Sequence, residues 1–85
     1  MSDLPLPIGH VTKNATEEIR VALQEYKGLK LADIRVYGRF SAAKTFAPTA
    51  KGISFNPALL PELITLLQAA EAEARKRGLM GGGDA

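Results

Sequence analysis

The chain has 85 residues, a formal net charge of +2 and no cysteine, which leaves room for one small domain and excludes a disulfide framework. No apolar run reaches the length of a membrane helix, and the N-terminus lacks a basic-then-apolar signal pattern, so no membrane partner and a cytoplasmic location are expected. The only histidine, His10, has no evident partner, and the acids are scattered without metal-ligand spacing, so neither an enzyme nor a metal or other cofactor is expected.

Residues 1–16 (MSDLPLPIGHVTKNAT) hold two prolines and no sustained period, and are expected to form a flexible segment. His10 within it reads as an ordinary surface residue. The folded domain is expected over 17–78, with 79–85 as a flexible tail. Glu18 to Tyr26 alternates with the period of a half-buried strand: Ile19, Val21 and Leu23 point one way, Arg20, Ala22, Gln24 and Tyr26 the other. Lys27-Gly28 reads as a turn, because glycine is free to take positive φ. Lys30 to Tyr37 alternates again. Ala32, Ile34 and Val36 form its apolar set, and Asp33, Arg35 and Tyr37 share the other face with Leu31, predicting an antiparallel hairpin.

Arg39 to Ala43 lacks periodicity and predicts a loop. Lys44 to Pro48 reads as a short third strand, with Pro48 at its end or edge. Lys51 to Phe55 reads as the fourth, with Ile53 and Phe55 toward the core. Asn56 is a favoured N-cap and Pro57 suits the first helical position. Pro61 interrupts one continuous helix, which predicts an initial turn over 57–60 and a regular helix from about Pro61. Leu59, Leu63, Leu66, Leu67, Ala70 and Ala74 fall on one stripe, widened by Leu60 and Ile64. Arg75, Lys76 and Arg77 suit the helix end, and Gly78 is the expected stop.

The expected architecture is therefore α+β, a four-stranded antiparallel sheet followed by one long C-terminal helix (β-β-β-β-α). So small a core is marginal alone, and the stripe is wider than a small sheet needs to cover. A homodimer is expected, with Leu59, Leu63, Leu66, Leu67 and Ala70 at its interface.

Charge is unevenly placed. From Glu18 to Phe55 seven bases face three acids, while from Asn56 to Gly78 three acids balance three bases, so the positive excess lies on the sheet. A face carrying cations and aromatic rings suits a flexible polyanion with stackable rings, namely single-stranded nucleic acid. Bases stack on aromatic side chains with little regard to sequence, and Lys and Arg release counterions from phosphates. The candidate contacts are Arg20, Tyr26, Lys27, Lys30, Arg35, Arg39, Phe40, Lys44 and Lys51. Four have a plainer reading: Tyr26 as a cover for the hairpin end, Lys27 and Lys30 as solvated turn lysines, and Arg35 as the partner of Asp33. Tyr37 reads as structural.

Four short elements, Tyr26-Lys27-Gly28, Asp33-Ile34-Arg35-Val36-Tyr37, Lys51-Gly52-Ile53-Ser54 and Asn56-Pro57, stand in order over about Glu18 to Arg77. Together they resemble the single-strand-DNA-binding domain of the Positive Cofactor Four family of transcriptional coactivators, including its short bacterial members. The resemblance implies a curved sheet dimerised through its helices, with Tyr26 stacking on bases, Lys27 on the backbone beside it, and Arg35 and Lys51 as sheet-borne cations. One departure stands out: Gly38 occupies the place of a second stacking aromatic, for which Phe40 and Phe46 are the substitutes at hand. The expected partners are single-stranded DNA, with RNA or duplex DNA as alternatives, a second copy of the chain, and transcription or replication machinery. In a bacterial cell the protein would be nucleoid-associated. A protein-interaction module acting through its apolar helix is the rival from another class.

Overall fold

The computed structural model describes residues 4–39 and 44–81. Four strands, β1 (Leu6–Asn14), β2 (Glu17–Tyr26), β3 (Leu29–Gly38) and β4 (Ala47–Phe55), form one antiparallel sheet in sequential order. A 3-10 turn, Pro57–Leu59, leads into α1 (Leu60–Lys76). The α+β class and the order of four strands then helix are as expected from the sequence, but two strand assignments need correction.

The first concerns 1–16. Leu6–Asn14 is a strand paired with β2, not a segment without regular structure. Its period is hidden because the register shifts twice, between Pro7 and Gly9 and between Thr12 and Asn14, and each shift resets which face the next side chain takes. The second concerns the expected third and fourth strands, which are one strand, β4, broken by an irregularity where it pairs with Arg35 and Tyr37. Pro48 and that irregularity erase the alternation that would have joined the two halves.

The central hairpin follows the sequence closely. Tyr26 pairs with Leu29 around Lys27-Gly28, and both turn residues have positive φ, 51° and 82°, as the tight two-residue turn of a right-twisted hairpin requires. Ile19 faces Val36, Val21 faces Ile34 and Leu23 faces Ala32. Ile53 and Phe55 of β4 extend this apolar layer opposite Ile34 and Ala32. Gly52 lies opposite Arg35 because β3 passes too close for a side chain: a Cβ there would sit 2.6 Å from the Ile34 carbonyl oxygen and 2.8 Å from the Arg35 Cα.

Asn56 caps the 3-10 turn by accepting a hydrogen bond from the Ala58 N–H at 2.9 Å. Helix α1 ends in a Schellman arrangement, with the Gly78 N–H on the Arg75 carbonyl and the Leu79 N–H on the Ala74 carbonyl, and Gly78 at φ 71°. The 3-10 turn rests against β3, whereas α1 contributes no buried residue. Ala32 is the one buried apolar residue among those described. The radius of gyration is 15.1 Å, against about 12 Å for a compact domain of this length.

Candidate nucleic-acid interface

The face of the sheet opposite the aliphatic layer is built on a repeated local pattern, an acid followed two residues later by an arginine on the same strand face. On β2 Glu18 holds Arg20, with Nε at 2.7 Å and Nη2 at 2.6 Å from Oε1. On β3 Asp33 holds Arg35 through Nη2 at 2.9 Å and Nε at 3.2 Å. Arg20 and Arg35 lie directly opposite each other, a like-charge pairing that destabilises a sheet unless it is neutralised. The two carboxylates neutralise it, and both are buried, Glu18 at 8% and Asp33 at 4% exposure.

Asp33 is the better anchored. Burial pushes its carboxyl pKa upward, but the hydrogen bonds from Arg35 and from the Ser54 hydroxyl, the latter at 2.6 Å, outweigh burial and hold it below the ordinary value. The same pairing raises the Arg35 pKa. Arg35 also donates to the Thr49 carbonyl at 2.9 Å, so all three guanidinium nitrogens are engaged. Arg20 lies over the Tyr37 ring, 4.2 Å from its centroid. Tyr37 thus faces the polar side as a platform for a cation, a placement that alternation from Asp33 and Arg35 already indicates.

The remaining cations lie toward the ends of the sheet. At the β2–β3 turn Tyr26 is 61% exposed, with the Lys27 ammonium 5.4 Å from its ring centroid. Lys30 pairs with Glu25 at 3.1 Å. At the other end Arg39 donates to the Ala15 carbonyl and lies 5.3 Å from the Phe46 ring centroid. Lys44 and Lys51 are exposed and make no ion pair among the described residues, although the Lys51 charge helps, behind hydrogen bonds from Lys13 and Asn14, to lower the Glu17 pKa. Phe40 lies outside the described residues.

The expected contacts therefore fall into two sets. Tyr26, Lys27, Arg39, Lys44 and Lys51 present a ring or a charge with no ion pair seen among the described residues. Arg20, Lys30 and Arg35 are already paired with acids. His10, expected to be an ordinary surface residue, stands opposite Arg20 on β1, its Nε2 3.6 Å from Glu18. Only recognition of β1 as a strand would have placed it there.

A family model described as Transcriptional Coactivator p15 (PC4) matches residues 13–66. The chain belongs to the PC4 family. PC4-family proteins have a nucleic-acid-binding, non-enzymatic fold with a coactivator-like role. Two crystal forms of BPSL1147, a PC4 homolog from Burkholderia pseudomallei K96243, are similar to the chain at 34% identity. The orthorhombic form matches with a TM-score of 0.72 over 84% of this chain and 95% of that one. The tetragonal form gives 0.71 over 79% and 97%. No curated protein matches significantly. The Tyr26-Lys27-Gly28 turn, the Asp33–Arg35 pair and Gly52 all lie inside the PC4-matched span.

Proposed function

We propose that the protein is a homodimeric, largely sequence-independent single-stranded-DNA-binding protein that serves transcription or DNA maintenance in the cytoplasm. The observation that carries this reading is the Tyr26-Lys27-Gly28 turn. An exposed ring projects from the end of the two central strands beside a cation, and Lys27 is held at a φ that costs a non-glycine residue roughly 1–2 kcal/mol. Local strain of this kind collects at ligand clamps. The Tyr26 ring offers a base a stacking partner. Lys27, Arg39, Lys44 and Lys51 supply charge for phosphates toward both ends of the sheet. Duplex bases are stacked on one another and cannot offer their faces to Tyr26, which favours single strands over duplex DNA.

Self-association is supported by what one chain leaves uncovered. Its accessible surface is 6741 Å2, against about 4,900 Å2 for a folded monomer of its mass. On α1 and its lead-in, Leu59, Ile64, Leu66 and Leu67 are all at least 49% exposed, and Ala70 is exposed beside them. An excess of about 1,800 Å2 per chain is of the order that obligate dimers bury. A second copy packing helix on helix would cover it.

The test is fluorescence anisotropy with labelled oligo-dT, an RNA of equal length and the matching duplex, across a salt series. Tight oligo-dT binding, weak duplex binding and a steep salt slope are expected. Tyr26→Ala should weaken oligo-dT binding about thirtyfold, the middle of the range for one lost stacking contact, with the melting temperature unchanged. Equal affinity for all three ligands would reduce the face to a general cationic surface. No binding to any would move the function to a protein partner of α1.

A further inference from the structure

Histidine is the side chain whose ordinary charge change falls between about pH 5 and 8, and the chain has one, His10. It stands on the outer strand β1, directly opposite Arg20 of β2, and residues so paired share a face of the sheet. That puts it on the polar face, at the rim of a hollow lined also by Pro7, Arg20 and Tyr37. Its side chain is 56% exposed and open to a ligand lying along the sheet.

Charged and titratable groups share this face from both central strands: Glu18 and Arg20 on β2, and Asp33, Arg35 and Tyr37 beyond them on β3. Glu18 gives Oε1 to Arg20 and keeps Oε2 3.6 Å from the His10 Nε2. Asp33 is taken by Arg35 and Ser54. Two acids and two arginines cancel, so the middle of the face carries no net charge while the imidazole is neutral. The cations Lys27, Arg39, Lys44 and Lys51 lie toward the ends of the sheet. A proton on His10 changes this balance by a full charge, because Glu18 already neutralises Arg20 and cannot cancel both cations. Both ring nitrogens of the charged form are donors. Nε2 has Glu18 before it, and Nδ1, which makes no hydrogen bond within the protein among the described residues, is left for another acceptor.

We infer that His10 in its charged form contacts a backbone phosphate of the bound strand, so that strand binding takes up a proton and tightens as pH falls. This rests on the single-strand-binding reading and adds a contact on β1, where the expected set had none. The phosphate favours the charged imidazole. The added affinity is therefore present on the acid side of the histidine range and lost as pH rises through it. Every nucleotide carries the same phosphate, so the effect is independent of base.

The experiment measures oligo-dT anisotropy from about pH 8 to about pH 5.5, a window above the acid limb of Asp33, at two salt concentrations. One more phosphate contact steepens the log–log salt slope of a single strand by roughly 0.7. Wild type should therefore gain about eightfold in affinity at about 50 mM salt and about threefold at about 200 mM across the window. His10→Ala should keep the wild-type affinity of pH 8, within twofold, at every pH. His10→Lys should bind at pH 8 as wild type does at pH 5.5, with the dependence flattened. Circular dichroism and melting temperature check that both variants keep the fold. A wild type whose affinity ignores pH overturns the inference and leaves single-strand binding standing. So does a pH dependence that persists in His10→Ala, since another group would then carry it. A melting temperature that rises as pH falls with no steepening of the salt slope also overturns it, because His10 would then only brace Glu18. Failure to bind at any pH removes the binding reading and the inference with it.

Discussion

Arg20 and Arg35 face each other across the middle of the sheet, and Asp33, which holds Arg35, makes this site sensitive to low pH. The Asp33 carboxyl has a lowered pKa in the folded state. Its stabilising contribution is therefore complete above the ordinary aspartate value of 3.8 and is lost as pH falls through the lowered folded value. Urea midpoints measured from pH 6 down to pH 2 should fall below about pH 4. Asp33→Asn should cost about 2 kcal/mol at neutral pH, the scale of hydrogen bonds to a charged partner, and should flatten that acid limb. Gly52→Ala belongs to the same scale. Its Cβ would meet backbone atoms of β3, so the β3–β4 ladder must part, and thermal melts should show a loss of about 1–3 kcal/mol. The Arg35–Asp33 pairing was legible in the sequence as the plainer alternative to phosphate contact. What the sequence could not show was Thr49 closing on the same guanidinium, because that contact depends on the irregular register of β4.

The β2–β3 hairpin and α1 were legible nearly residue by residue, since each carries its own punctuation: Lys27-Gly28 at the turn, Asn56-Pro57 at the entry, Gly78 at the stop. β1 carried none of this. Its prolines read as loop and its two register shifts removed the alternation, so the strand exists through its partner β2 rather than through a pattern of its own. Turn chemistry gives a prediction that separates stability from function. Lys27→Asn places at the positive-φ position a residue that tolerates it far better. The variant should melt a few degrees higher, while its oligo-dT affinity falls and its log–log salt slope drops by about one. A variant unchanged in both readouts would remove Lys27 from the binding face.

At the scale of the whole molecule, Ala32 is the only buried apolar residue among those described, so in the proposed dimer folding and association would be coupled. The melting temperature should rise with protein concentration, and light scattering should return twice the chain mass. Leu67→Asp places a charge on the exposed stripe of α1 and should yield a chain that melts at lower temperature or scatters as a monomer. A folded Leu67→Asp variant with the wild-type mass and melting temperature would overturn the helix-paired dimer. The sheet is open, and both of its outer strands are interrupted, β1 by two register shifts and Pro7, β4 by Pro48 and its irregular stretch. An uninterrupted outer strand would offer a row of unpaired amides and carbonyls on which further chains could add. Here any incoming strand loses step within a few residues, so crowding at high copy number should leave discrete particles in solution instead of seeding filaments.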